Sequence, residues 1–399
     1  VEAGAVTVPP RTLDRMTTPA EPTPPEPLPA DCADPPPEPD PHLRDPGELI
    51  AAVPAMLGFV PARSLVITVL RAEPGESGKA AIDVVARMDL DNPGRVATGE
   101  LLDRVAGVCV RGTAVAVLAL IIDDRATTPV ERHRGVRSRK HRDLIGALEH
   151  RLDAEEVPLA GAWAVRAIAV DLPWWSLLGP ARRGTQPDPS TSPVTFKHVL
   201  EGRPIRGSRD ELIESVAVNA VVRDKMPALL AAATEVAADR LAHAVSRGEP
   251  NFYSRAALRI VLTQIASIEA GTLPAIADLA EVAVALRDRT VRDILFGLIL
   301  GVHADAAETL WLELTRALPD PERAEAAMLL GYAAYARGDG PLAGVALEAA
   351  LAADESHRMA NLLDLGLQTG MHPDRLRRLA EAGREAAADL GVDLRSEHP

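Results

Sequence analysis

Cysteine, lysine, aromatic residues and long apolar runs are all scarce in this 399-residue sequence. The two cysteines, Cys32 and Cys109, lie too far apart for a disulfide framework or a CxxC-type zinc site, and predict a reducing, cytoplasmic setting. No uncharged apolar run approaches the ~18 residues of a membrane span, so no membrane protein is expected. Lysine occurs only at Lys79, Lys140, Lys197 and Lys225, and arginine supplies the rest of the 43 basic residues, as in a GC-rich genome. Also missing are the GxxxxGK phosphate loop, GxSxG, HExxH and a GxGxxG following a strand. No catalytic residue, metal or cofactor is assigned on this basis.

What is present is unevenly distributed. The 57 acidic and 43 basic residues give a net charge of −14, and residues 1–46 hold 14 of the 34 prolines, nine acidic residues and three basic ones. Proline-rich, acidic chain with few aliphatics cannot offset its ordering entropy by burial. A disordered tail with polyproline II character is expected over 1–44, either a solubilising segment or a ligand for an SH3-like groove. It lacks the order of a secretory signal. Val1 suggests a non-methionine start codon or a start set too far upstream, with Met16 as the alternative.

From 45 to 207 helix and strand patterns alternate, predicting an α/β domain. Asp45-Pro46-Gly47-Glu48 reads as a helix start, with Pro54 breaking or kinking the helix and Gly58 ending it. Ser64–Leu70 and Ala81–Met88 read as a hairpin, Thr113–Ile122 and Ala162–Val170 as buried strands, and 96–110 and 138–155 as helices. Strand, helix, strand, helix, strand favours a mostly parallel sheet. The segment 179–207 is rich in Gly, Pro, Ser and Thr, and reads as a lid, an Ω-like loop or a linker.

In such sheets ligands bind beyond the carboxyl ends of the strands. Those ends carry Asp89, Asp123, Asp124 and Asp171, and just beyond lie Arg132, Arg134, Arg137, Arg139, Lys140 and Arg142, interleaved with His133 and His141. Carboxylates suit a divalent cation, and an arginine-rich loop entering a helix suits phosphate. The competing reading is strand-ending aspartates, a solvated basic loop and solvated histidines. Nucleic acid is disfavoured by the net charge and by the lack of interleaved aromatics. Trp174 and Trp175 form either an exposed hot-spot surface or a core wall where the sheet meets the helices.

From Ser208 to about 391 the strand signal stops, and alanine-rich helices are broken near Asp224, Gly248–Asn251, Gly271–Pro274, Arg287, Val302, Pro319–Pro321, Gly338–Pro341 and Gly370–Pro373. Residues 326–337 and 343–354 around Gly338-Asp339-Gly340 form a tetratricopeptide-like helix pair, of the kind that offers peptide-binding grooves. Arg289 and Asp293 are spaced for an ordinary surface ion pair. Residues 392–399 are read as a C-terminal tail.

Several stretches together resemble the actinobacterial domain-of-unknown-function family numbered 4192: Glu48-Leu49-Ile50-Ala51-Ala52-Val53-Pro54, Leu57-Gly58-Phe59-Val60-Pro61, Arg87-Met88-Asp89-Leu90, Trp174-Trp175-Ser176, Ser208-Arg209-Asp210-Glu211-Leu212 and Arg337-Gly338-Asp339-Gly340. The resemblance covers about 45–380 and implies a cytoplasmic protein of the same layout, with no assigned activity. Relatives carry cysteines after the tryptophans, whereas Leu177–Pro193 has none, so no thiol or metal role carries over. The expectation is a non-catalytic regulatory or interaction protein with a protein partner on its helical half. The alternative is an enzyme or sensor binding a phosphorylated small molecule or nucleotide at the sheet edge.

Overall fold

Asp45 starts the first helix as expected. Its carboxylate accepts from the amides of Gly47 (2.6 Å) and Glu48 (3.2 Å), and Pro46 sits where a missing N–H costs nothing. This helix, α1 (Pro46–Leu57), runs through Pro54 instead of breaking there, because burial from Leu49 to Ala55 outweighs one lost hydrogen bond. Gly58 ends it at φ 69°. The computed structural model describes residues 45–72, 80–91, 98–111, 114–200 and 202–394, so the tail expected over 1–44 and most of 392–399 lie outside the described residues.

Six strands follow with helices between them: β1 (Ser64–Ala72), β2 (Ala80–Asp89), α2 (Thr98–Arg111), β3 (Ala114–Ile122), α3 (Ser138–Asp153), β4 (Leu159–Val165), β5 (Pro173–Ser176) and β6 (Arg183–Thr185). They form one sheet in the order β2-β1-β3-β4-β5-β6. The expected α/β part is present, but its sheet is not mostly parallel: only β3 and β4 pair in parallel. The β1–β2 hairpin inserts β1 between two strands that run the same way. The strand expected over 162–170 ends at Val165, where the chain turns back into β5.

Strand alternation divides the interior into two layers. Leu65, Ile67, Val117, Ala119, Ile121 and Trp175 face α2 and α3, whereas Val66, Leu120, Ile122, Val165 and Trp174 face α1 and the helical half. That second cluster runs without a break into the helices. The segment over 179–207 has structure of its own, with β6 and α4 (Pro193–Leu200), the latter packed on α1. It is therefore not an unstructured linker.

The tryptophans are buried, one on each face of β5, and form no exposed hot spot. Gly184 lies across from Trp174, where an added Cβ would stand 2.8 Å from the indole. Gly184→Val is therefore expected to cost about 2 kcal/mol, because a rigid ring in a packed layer cannot yield. A lowered urea midpoint with an unchanged slope tests this.

The helical half comprises α5 (Arg209–Ser215), α6 (Ala220–Arg223), α7 (Met226–Ser246), α8 (Pro250–Glu269), α9 (Ile276–Ala285), α10 (Arg289–Leu295), α11 (Ala304–Ala317), α12 (Glu322–Ala336), α13 (Gly340–Ala353), α14 (Arg358–Gln368) and α15 (Arg377–Asp389). Every break named from the sequence falls at a helix boundary, with Pro250 and Asn251 opening α8 and Gly340 and Pro341 opening α13. A further break, at 354–357, has neither Gly nor Pro. There the Asp354 carboxylate takes the Ser356 amide at 2.9 Å, and His357 caps α14 through the Ala360 amide at 3.1 Å. The expected hairpin is α12–α13, packed so closely that an added Cβ on Gly331 would lie 2.8 Å from Leu347. Asp293 pairs with the adjacent Arg292 at 2.7 Å, not with Arg289, which leaves Arg292 also facing Glu325 at 3.5 Å.

Candidate functional site

Because β1 is antiparallel to both β2 and β3, the carboxyl ends of β2, β3 and β4 share one edge. Asp89 stands across from Ser64, Ser64 from Ile122, and Ile122 from Val165. The turn from β4 to β5 lies at the same edge, since Val165 pairs with Trp174. Asp89, Asp123, Asp124 and Asp171 are thus gathered there, by mixed pairing instead of parallel crossovers.

The carboxylates of Asp89, Asp123 and Asp124 are occupied by guanidinium groups. Asp123, buried just past β3, accepts from Arg125 Nε at 2.6 Å, from the Arg125 amide at 3.2 Å and from His141 Nε2 at 3.1 Å, with Arg137 Nε 3.7 Å away. Asp124 is gripped at both oxygens by Arg63, at 2.8 and 3.1 Å, and its carbonyl accepts from Arg166 at 3.1 Å. Asp91 receives Arg125 on one oxygen and faces Arg63 at 3.6 Å with the other. Asp89 pairs with Arg87 at 3.3 Å and accepts the Asp91 amide at 3.1 Å. Asp171, at φ 60°, donates its backbone N–H to the Gln186 carbonyl and joins none of these pairs among the described residues. Arginine forks satisfy the oxygens that a divalent cation would need, and no cluster of three metal-type side chains occurs among the described residues.

His141 was expected to be solvated and is instead almost fully buried. As a carboxylate only accepts, the imidazole places its proton on Nε2 toward Asp123, and Nδ1 has no hydrogen-bond partner among the described residues. Burial pushes the imidazole below its ordinary value, outweighing the Asp123 contact. Burial alone would raise the Asp123 carboxyl, but the bonds from Arg125 and His141 hold it below the usual carboxylate range.

The basic residues divide into two groups. Arg137, at φ 63°, caps α3 without a side-chain bond and leans on Asp123, and Arg142 donates to Ser138 Oγ at 2.7 Å. Arg132, Arg134, Arg139 and Lys140 are exposed and join no ion pair among the described residues. His133 accepts the Gly135 amide at 3.0 Å. Sequence reading missed Arg63, Asp91, Arg125 and Arg166. Arg125 lay two residues from Asp123 in plain view, but no local pattern assigns a partner to Arg63, which is 61 residues from Asp124.

The edge is an ion-pair lattice with a cationic rim. Two cavities lie in the helical half, one between α7, α8 and α9 and one beside Arg287. Among the described residues no helix is long and apolar enough to cross a membrane. Neither the curated proteins nor the solved structures contain a match to the chain. The family model described as Domain of unknown function (DUF4192) matches residues 46–374, which take in the whole sheet, the ion-pair lattice and the helices up to α14, and the chain therefore belongs to that family.

Proposed function

We propose that the chain is a cytoplasmic, non-catalytic regulatory or interaction protein, with the helices over 208–391 as the partner surface and the α/β part over 45–207 as their support. The second half of α7 carries this reading. From Ala238 to Glu249 only Ala244 is buried, yet Leu241 and Val245 are exposed there, with Val236 before them and Phe252 beyond the turn into α8. A helical end that packs on little is marginal in water unless something covers its apolar side chains. Beside it runs an apolar depression lined by Val236, Ala237, Tyr253 and Ile260, with Arg240 and Glu281 among its lining side chains. That combination suits an amphipathic helix of a partner, apolar anchors inward and both charge signs available alongside.

Photo-crosslinking in the native host tests the reading. Benzoylphenylalanine at 241 and at 252 should capture one and the same protein, and Leu241→Glu with Val245→Glu should abolish capture from 252 while leaving the melting temperature unchanged. Capture no stronger than from exposed Arg378 on α15, or capture indifferent to the double substitution, overturns it.

A further inference from the structure

We propose that the stretch from Val130 to Arg142, at the carboxyl edge of the sheet, is a docking surface for an acidic, aliphatic segment of another protein. It is separate from the α7 surface and does not depend on it. Six of its thirteen residues are Arg or Lys, and Glu131 is the sole acid. Asp123 and Asp124 behind it are already occupied by Arg125 and Arg63, and of the six cations only Arg137 leans on one of these two carboxylates. Arg132, Arg134, Arg139 and Lys140 therefore face solvent together.

The start of α3 strengthens the case. Its first turn holds no acid, its cap Arg137 offers no side-chain bond, and Arg139, Lys140 and Arg142 crowd the positive end of the helix dipole. Cations at that end destabilise a helix, so local folding energetics do not account for them, whereas an external acid does. Apolar side chains stand among the charges: Val130 is 57% exposed and Val136 53%, and Val170 on the neighbouring β4–β5 turn is 52% exposed. Arg166, on that same turn, donates to the Asp124 carbonyl and so ties the two loops together.

The chemistry selects the partner. Exposed cations interleaved with exposed valines match a segment that alternates carboxylates with aliphatic side chains. Residues 123–143 contain no Phe, Tyr or Trp on which a base would stack, which favours peptide over single-stranded nucleic acid. The cations project from an open loop and a helix start, a shape that suits an extended chain better than a small molecule.

The test uses the full chain and a short fluorescein-labelled peptide alternating Glu and Leu, followed by fluorescence anisotropy. The peptide should bind at least about tenfold more tightly than its Lys-for-Glu counterpart, and weaken as salt rises from about 0.05 to about 0.3 M. Arg132→Glu, Arg134→Glu and Arg139→Glu together should cost about tenfold or more, while Arg378→Glu on α15 changes nothing. Val136→Ser should weaken binding without altering its salt dependence, which separates the aliphatic contact from charge alone. The triple variant should melt no lower than wild type, because it relieves repulsion at the start of α3; if it fails to fold, Arg134→Glu alone serves. Equal binding of the two peptides, or binding indifferent to the substitutions, overturns the proposal. So does an oligothymidylate, or inorganic phosphate alone, that binds through the same arginines more tightly than the peptide.

Discussion

Asp123→Ala is expected to lower the stability of the folded chain by about 4 kcal/mol. The carboxylate is buried, and its loss takes a partner from three groups at once: the Arg125 guanidinium at 2.6 Å, which keeps only Asp91, the His141 imidazole at 3.1 Å and the Arg137 guanidinium at 3.7 Å. Asp123 and His141 are shielded from water, whereas the two arginines are partly exposed, so most of the cost is that of leaving the buried imidazole without its partner, beyond the loss of Coulomb attraction. Urea unfolding at pH 7 measures it. Asp124→Ala, which breaks an exposed pair with Arg63, should cost far less, and equal effects from the two substitutions would contradict the burial argument.

The same pair sets a pH signature. His141 is depressed in the folded chain, so below the ordinary imidazole value of 6.5 the unfolded chain takes up a proton that the folded one refuses, and stability falls until the folded imidazole also titrates. Asp123 is likewise depressed, so its contribution is intact above the ordinary carboxyl value of 3.8 and is lost as pH falls through its lower folded value. Both slopes have the same sign. Stability should be flat from pH 7 to 8 as far as these two groups are concerned, and should decline on acidification in two stages. His141→Gln should flatten the first stage and Asp123→Asn the second.

Gly383→Leu is expected to cost about 3 kcal/mol, the second-largest effect. An added Cβ at Gly383, within α15, would lie 2.8 Å from the Gly297 amide nitrogen and 2.9 Å from the carbonyl oxygens of Asp293 and Ile294. Those are backbone atoms of α10 and of the turn that follows it, so no rotamer change relieves the contact. Gly297 is equally crowded from the other side, by the Arg384 amide at 3.0 Å. Either α15 lifts away from α10, exposing Leu390 and Leu394, or the packing distorts. Gly383→Ala should show a smaller loss of the same kind, in the direction opposite to its intrinsic gain in helix propensity. A stabilised Gly383→Ala protein would show that the two backbones are not in close contact.

How much of this was legible in advance follows from the range of the interactions concerned. The α1 start needed only Asp45, Pro46 and Glu48, and most of the helix breaks only Gly, Pro and their neighbours, so these were readable. The break at 354–357 escaped because a side-chain turn on Asp354 replaces glycine there. Aspartates at strand ends were also readable, because strand length follows from a local run of β-branched residues. Their roles were not. A carboxylate past a strand looks the same in sequence whether it awaits a metal or is held by a distant arginine.

The sequence by itself determined the order of elements from α1 to β4, the α/β part followed by helices, and the stretch of cations from Arg132 to Arg142, since all of these rest on local composition and periodicity. Tertiary structure alone decided that β1 lies between β2 and β3, that Trp174 and Trp175 face opposite cores, and that His141 is buried against Asp123. Strand neighbours and ion-pair partners are chosen by contacts across tens of residues, as between Arg63 and Asp124, and their energies depend on burial that no local pattern records.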